Sequence, residues 1–327
     1  MKWYVALTWW TLRVLGVLPL PVLYAIGGAL GRPLWWRRHA RERVHTEVNM
    51  RIARPGLSDA AHAALVRECL IETGHAVTEM AAVWGRGARP ALRFVREVEG
   101  QERFDAALKS GRGLIVAAPH LGCWELLNYW LCAHTSIAIL YAPPRNAAWE
   151  AMLVHARGDL APEQVRADGA GVRALYKRLA AGGVVGILPD QQPRHGEGQF
   201  APFFGLDANT MVLLPRIAHR TGAQVLFAFA ERLPRGAGYR IRILPAPAGI
   251  DDPDLRVACT ALNRGVEQCV ELAFPQYQWT YKRWAERPDP YEHDPYWLAR
   301  NGLTEQAARA QNRGQSALFP DQHHPKP

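Results

Sequence analysis

At 327 residues, close to half of them apolar, the chain has ample material for a core. Its length allows two domains or one large α/β domain with appendages. The 39 Lys and Arg against 30 Asp and Glu leave a formal charge of +9, which suits a nucleic acid, an anionic bilayer or an acidic carrier protein. No nucleic-acid fingerprint is present, and Trp and Arg cluster near the N-terminus, so a membrane is favoured. Five cysteines (Cys69, Cys123, Cys132, Cys259, Cys269) without Cys-x2-Cys spacing read as reduced, buried thiols of a cytosolic domain and indicate no zinc site.

Residues 1–31 read as an N-terminal membrane anchor. The run Val14–Leu30 carries no charge, but its length is at the short end for a span of about 30 Å of hydrocarbon. Pro19 and Pro21 would kink it, and Arg13 interrupts its upstream end. Arg32, Arg37, Arg38, Arg41 and Arg43 follow, against Lys2 alone before it, which puts the C-terminal side in the cytoplasm. Trp3, Trp9, Trp10, Trp35 and Trp36 suit interfacial belts. The alternative is an amphipathic or re-entrant anchor lying in the interface. A main domain is expected over 32–300 and a disordered tail, rich in Gln, Arg, His and Pro, over 301–327.

Apolar spacing predicts a helix over 58–83, with Ser58 as N-cap, and a short helix between Gly100 and Gly113. Strands and helices then alternate: strand 114–118, helix 124–132, strand 137–141, helices 147–157 and 172–181, strand 184–188. A helix over 210–221, capped by Thr210, strands 224–230 and 239–244 forming an antiparallel hairpin, and a long helix over 254–272 complete the series. The fold class that follows is α/β, a largely parallel sheet flanked by helices.

The stretch Leu114-Ile-Val-Ala-Ala-Pro-His120-Leu-Gly-Cys-Trp-Glu125 is the most informative. An apolar strand is broken by Pro119, and a histidine and a carboxylate follow. If a helix begins just after His120, Glu125 falls near its first turn and can reach back to the imidazole. A carboxylate on one ring nitrogen leaves the other free to act as a general base toward an alcohol. The competing role for Glu125 is that of a helix N-terminal carboxylate favoured by the macrodipole. His120, Arg145 and Asp190 each fall just past a predicted strand, where ligands of open α/β sheets gather. Arg145 follows two prolines and suits a phosphate or carboxylate clamp, or an ion pair with Glu125 or Asp190. Asp190 and Gln191 would bind acceptor hydroxyls or simply brace their loop. Phe200, Phe203 and Phe204 form an apolar wall, core packing being the default for aromatics. Lys282 and Arg283 among Trp279, Tyr281 and Trp284 form a basic-aromatic patch, suited to lipid headgroups or packed on the core.

These blocks carry a resemblance. Ala118-Pro119-His120-x4-Glu125, Tyr141-Ala-Pro-Pro-Arg145-Asn146, Gly171-Val-Arg173, Gly186-Ile-Leu-Pro-Asp190-Gln191-Gln192-Pro193, Phe200-Ala-Pro-Phe-Phe-Gly205-x3-Asn209-Thr210 and Gln278-Trp-Thr-Tyr-Lys-Arg283-Trp284 stand in one order over about residues 1 to 290. In that order the chain resembles the lysophospholipid acyltransferase superfamily and, within it, the bacterial lipid A secondary (late) acyltransferases of the lauroyl/myristoyl transferase group. The resemblance implies a glycerolipid-acyltransferase-like fold. It also implies transfer of a fatty acyl group from acyl carrier protein to a hydroxyl of a Kdo-bearing lipid A precursor, at the cytoplasmic face of the inner membrane. His120 would be the base oriented by Glu125, and backbone N–H groups near His120 or Gly122 would receive the oxyanion. Arg145, Arg173, Asp190 and Gln191 would bind substrate, and Phe200, Phe203 and Phe204 would line an acyl channel. Neither a metal nor a cofactor is implied. The alternatives are a lysophospholipid or other glycolipid acceptor, or a non-catalytic lipid-binding protein.

Overall fold

A computed structural model describes residues 2–142, 146, 150, 152, 156, 163–289, 292–304 and 306. Its centre is β2 (Leu114–Ala117), buried at all four positions. Such an all-apolar strand belongs in a parallel sheet covered on both faces. β2 pairs in parallel with β5 (Val184–Ile187) on one side and with β8 (Gln224–Arg232) on the other. Outward from β5 come β3 (Ile137–Tyr141) and β4 (Glu163–Arg166); outward from β8 come β9 (Tyr239–Pro245) and β1 (Val95–Glu99). The order is β1-β9-β8-β2-β5-β3-β4, and among the described pairs of this seven-stranded sheet only β8–β9 is antiparallel, the predicted hairpin.

Alternation along β2 divides the core in two. Ile115 and Ala117 point into one apolar cluster and Leu114 and Val116 into the other. On the first face lie α3 (Arg41–Ala53), α8 (Gly169–Ala180), α9 (Leu213–Thr221) and α10 (Leu255–Leu272), contributing Met50, Leu175, Leu214 and Val266 among others. On the second lie α6 (Gln101–Lys109) and α7 (Trp124–His134), with Phe104, Leu127 and Trp130.

The N-terminal stretch departs from the expected single anchor. It forms two helices, α1 (Trp3–Gly16) and α2 (Leu20–Trp36), separated at Pro19. Pro21 sits in the first turn of α2, where a missing N–H costs no hydrogen bond. No helix of the described residues is long and apolar enough to cross a membrane. α2 lies on α4 (Asp59–Met80) at backbone contact: a Cβ on Gly74 would stand 2.1 Å from the carbonyl oxygen of Gly27. α4 runs into a π-helical turn, Ala81–Gly85, and then the short α5 (Ala88–Leu92).

Two further departures have clear causes. The region 198–211 is a hairpin, β6 (Gly198–Phe203) and β7 (Leu206–Met211). Its two-residue turn, Phe204-Gly205, has φ of 48° and 79°, as the right-handed twist of a tight hairpin requires. Thr210 therefore lies in β7 and bonds Ala208 O instead of capping a helix, and α9 starts only at Leu213. A further helix, α11 (Pro295–Asn301), is capped by Asp294. Most of the expected helix 147–157 and most of the expected disordered tail lie outside the described residues; the described positions 150, 152 and 156 are helical.

Candidate active site

β2 and β5 are in register, Ala117 opposite Ile187. Each chain continues through a proline to a polar residue three positions on, Pro119-His120 and Pro189-Asp190. Equal run-outs from parallel partners bring these two side chains together. Asp190 Oδ1 accepts from His120 Nδ1 at 2.8 Å, and Asp190 Oδ2 accepts from the His120 backbone N–H at 3.0 Å. Asp190 is buried. Burial pushes its carboxyl up, but the facing His120 charge and the two His120 hydrogen bonds outweigh it and hold the carboxyl below its ordinary value. The ionised carboxylate fixes the ring tautomer with the proton on Nδ1, so Nε2 presents a lone pair.

That lone pair faces the side-chain amide of Gln191, with Nε2 to Nε2 at 3.3 Å; the same amide nitrogen donates to Gln278 Oε1 at 3.1 Å. Trp124 stands edge-on to the ring, centroids 5.4 Å apart.

Glu125, the expected orienting carboxylate, lies buried in the first turn of α7 and accepts from Trp84 Nε1 at 3.3 Å. The carboxylate that meets the His120 ring is that of Asp190, expected to bind acceptor hydroxyls; both its oxygens are engaged by His120. The spacing His-x4-Glu puts Glu125 close in sequence, yet strand register puts Asp190 against the ring.

The turn between β2 and α7 is tightly held. Leu121 N donates to Pro119 O at 2.7 Å, Gly122 N to Gln276 O at 3.2 Å and Cys123 N to Ala230 O at 2.8 Å. With the His120 N–H on Asp190, all four backbone donors from 120 to 123 are committed, so they form no oxyanion hole. Gly122 has φ 61°, and a Cβ there would stand 2.0 Å from Ala230 O, so only glycine fits. Its carbonyl accepts from Arg232 Nη2 at 3.2 Å. Arg232, at the end of β8, also donates to Glu79 at 2.8 Å, Glu72 at 3.0 Å and Gln276, all from a buried position. Burial raises the Glu79 carboxyl to about 7 even against the adjacent guanidinium. Cys123 is fully buried, and desolvation with the nearby Glu79 charge pushes its thiol well up, leaving it protonated and a poor nucleophile.

His120 and Trp124 form a shared wall between two cavities. One, of about 420 Å³, is bounded by Thr8 and Leu12 of α1, Ala76, Val77 and Met80 of α4, and Trp84. The other, of about 330 Å³, is bounded by Asn128, Tyr141, Ala167, Gln191 and Gln192. Asn128 is buried, and its amide nitrogen has no hydrogen-bond partner among the described residues, leaving a donor in this cavity's wall.

The remaining expected residues fall elsewhere. Phe200, Phe203 and Phe204 border neither cavity. The β6–β7 hairpin turns Phe203 into the core, where it stacks on Trp284, and packs Phe204 against Phe274 and Trp279. Arg173 is exposed on α8 and lines neither cavity, and Arg145 lies outside the described residues. Arg283 is buried and donates to Asn209 O, Thr210 Oγ1 and Asn263 Oδ1, and with Trp279 and Trp284 also buried, three of the five residues of the basic-aromatic patch are core. Arg232, Gln276 and Asn128 carry no motif that marks them in the sequence.

The family described as "Bacterial lipid A biosynthesis acyltransferase" matches residues 1–286. The chain is 26% identical over 288 residues to the lipid A biosynthesis lauroyltransferase of Escherichia coli (strain K12), covering 86% of this chain and 92% of that protein. It is 27% identical over 292 residues, with the same coverage, to the lipid A biosynthesis palmitoleoyltransferase of that strain and to a lipid A biosynthesis acyltransferase of Shigella flexneri.

Proposed function

Because the chain belongs to the bacterial lipid A biosynthesis acyltransferase family, we propose that it moves a fatty acyl group from acyl carrier protein to a hydroxyl of a Kdo-bearing lipid A precursor, with His120 as general base. One observation carries this reading: His120 Nε2 stands at the junction of an apolar-walled and a more polar cavity, its other nitrogen locked to a buried carboxylate. The apolar cavity takes the acyl chain. The other takes the acceptor, with the amide of Asn128 as a hydrogen-bonding group.

In this mechanism the acceptor hydroxyl gives its proton to Nε2 as its oxygen attacks the thioester carbonyl carbon. Asp190 stabilises the imidazolium that forms. Collapse of the tetrahedral intermediate breaks the C–S bond, and the leaving thiolate takes the proton back from Nε2. A buried, protonated Cys123 fits direct transfer without an acyl-enzyme. Glu125 supports the site from behind through Trp84, and Arg145 and Arg173 remain candidates for the acceptor's anionic groups.

The reading includes a membrane. Trp3, Leu7, Trp10 and Val14 are exposed along α1, an apolar face suited to lying in the inner-membrane interface with the domain on the cytoplasmic side. Exposed Arg37, Arg38 and Arg41 follow α2 and suit the acidic carrier and anionic headgroups.

The test is acyl transfer from acyl carrier protein to the Kdo-bearing precursor, followed by mass spectrometry, for wild type and His120→Ala. One added acyl chain, lost in the variant, supports the reading. Transfer only to a lysophospholipid or another glycolipid moves the acceptor assignment and keeps the chemistry. Lipid binding without turnover on every acceptor makes the chain a lipid-binding protein.

A further inference from the structure

We propose that the side-chain amide of Gln191 is the donor that receives the oxyanion of the acyl-transfer reaction; the proposal rests on the reading above. The usual candidates are already used: the backbone N–H groups of His120, Leu121, Gly122 and Cys123 bond Asp190, Pro119, Gln276 and Ala230. The amide of Gln191, by contrast, lies 3.3 Å from His120 Nε2, the nitrogen that the attacking hydroxyl must approach.

The chemistry of the pair fixes how that amide is turned. With Nδ1 donating to Asp190, Nε2 is an acceptor, so the group facing it must be an N–H donor. Gln278 Oε1 takes the other N–H at 3.1 Å, and the Gln278 backbone N–H is itself fastened to His120 O at 3.0 Å. The amide is therefore held by the same turn that carries the base, which is the preorganisation an oxyanion donor needs. Gln191 borders the more polar cavity and Gln278 the apolar one, so the amide spans the seam where hydroxyl and thioester meet.

At rest the N–H caps the lone pair of Nε2. The acceptor O–H displaces it there. As the C–O bond forms and the hydroxyl proton passes to Nε2, the carbonyl π pair moves onto oxygen and accepts from the freed N–H. When that pair returns, the C–S bond breaks, the thiolate takes the proton from Nε2, and the amide resumes its resting bond.

The experiment compares wild type with Gln191→Met, which removes the donors at similar length, with the isosteric Gln191→Glu, and with Asn128→Leu. It reads kcat, the KM of each substrate, and binding of dodecylphosphonate monomethyl ester as a tetrahedral anionic probe. Loss of one oxyanion donor should lower kcat by about 100-fold or more in both Gln191 variants, with each KM within about threefold of wild type and the probe bound about tenfold more weakly. A rise in acceptor KM at unchanged kcat would overturn the proposal, making Gln191 an acceptor clamp. A kcat loss confined to Asn128→Leu would overturn it as well. If wild type transfers no acyl group, the functional reading fails separately. Probe binding then decides alone: weaker binding to Gln191→Met supports the donor, and equal binding overturns it.

Discussion

The two walls that meet at His120 are built on different principles. On the sheet side, hydrogen-bonded register sets positions: Ala117 opposite Ile187, then a proline and the functional residue on each strand, ending in a 2.8 Å His–Asp contact. On the helical side, α1 and α4 close the apolar cavity largely through side chains such as Leu12, Ala76 and Val77. The outward face of α1 is left apolar and exposed. In the proposed reaction, the geometry that holds the proton comes from the sheet and the volume for the acyl chain comes from helices. A substitution on the first side should therefore change rate, and one on the second should change which chain is moved.

The largest effect is expected at the carboxylate. Asp190→Asn keeps the shape but abolishes the preference for the Nδ1–H tautomer, so transfer should fall by about 10²- to 10⁴-fold in kcat. Glu125→Gln, beside Trp84, should cost far less. Comparable losses in steady-state assays of both would break the distinction between the orienting and the supporting carboxylate. The same pair gives a pH signature. The Asp190 carboxyl is held below its ordinary value, so its stabilisation is fully present above the unfolded value of about 3.9 and is lost as pH falls through the lower folded value. The difference in melting temperature between wild type and Asp190→Asn should thus shrink in acid.

Arg232 comes next. Replacing it with Met leaves Glu79 and Glu72 without their buried cation and frees the Gly122 carbonyl, which should cost about 3–5 kcal/mol in denaturant unfolding. Restored stability in Arg232→Met with Glu79→Gln added would confirm that the orphaned charge, not lost packing, is the cause.

The smallest effect is on selectivity. Ala76→Trp fills part of the cavity between α1 and α4, and a competition among acyl donors should shift toward shorter chains by about 10- to 100-fold, the range a few methylenes command. An unchanged preference would place the acyl chain elsewhere.

Sequence legibility followed the same division. Central strands were readable because a short, wholly apolar run between turn residues, as in Leu114–Ala117, suits a strand covered on both faces and little else. The edge strands β1 (Val-Arg-Glu-Val-Glu) and β4 (Glu-Gln-Val-Arg) were not, because a strand with one exposed edge tolerates charge and looks like a loop. His120 stood out through the broken strand that precedes it. Its partner did not: His-x4-Glu is a local pattern, whereas Asp190 is 70 residues away and reaches the ring only through strand register. The phenylalanine block suggested an apolar wall, but a hairpin with its turn at Phe204-Gly205 rotated Phe203 inward. The prolines at 19 and 21 marked the break between α1 and α2.

The central claim is that Asp190 and not Glu125 holds the imidazole of His120, and the most direct test is the His120 ring N–H resonance in proton NMR of the 15N-histidine-labelled protein. A strongly downfield Nδ1 proton that persists in Glu125→Gln and disappears in Asp190→Asn is the expected result. Persistence in Asp190→Asn with loss in Glu125→Gln would contradict the account and return the ring to Glu125.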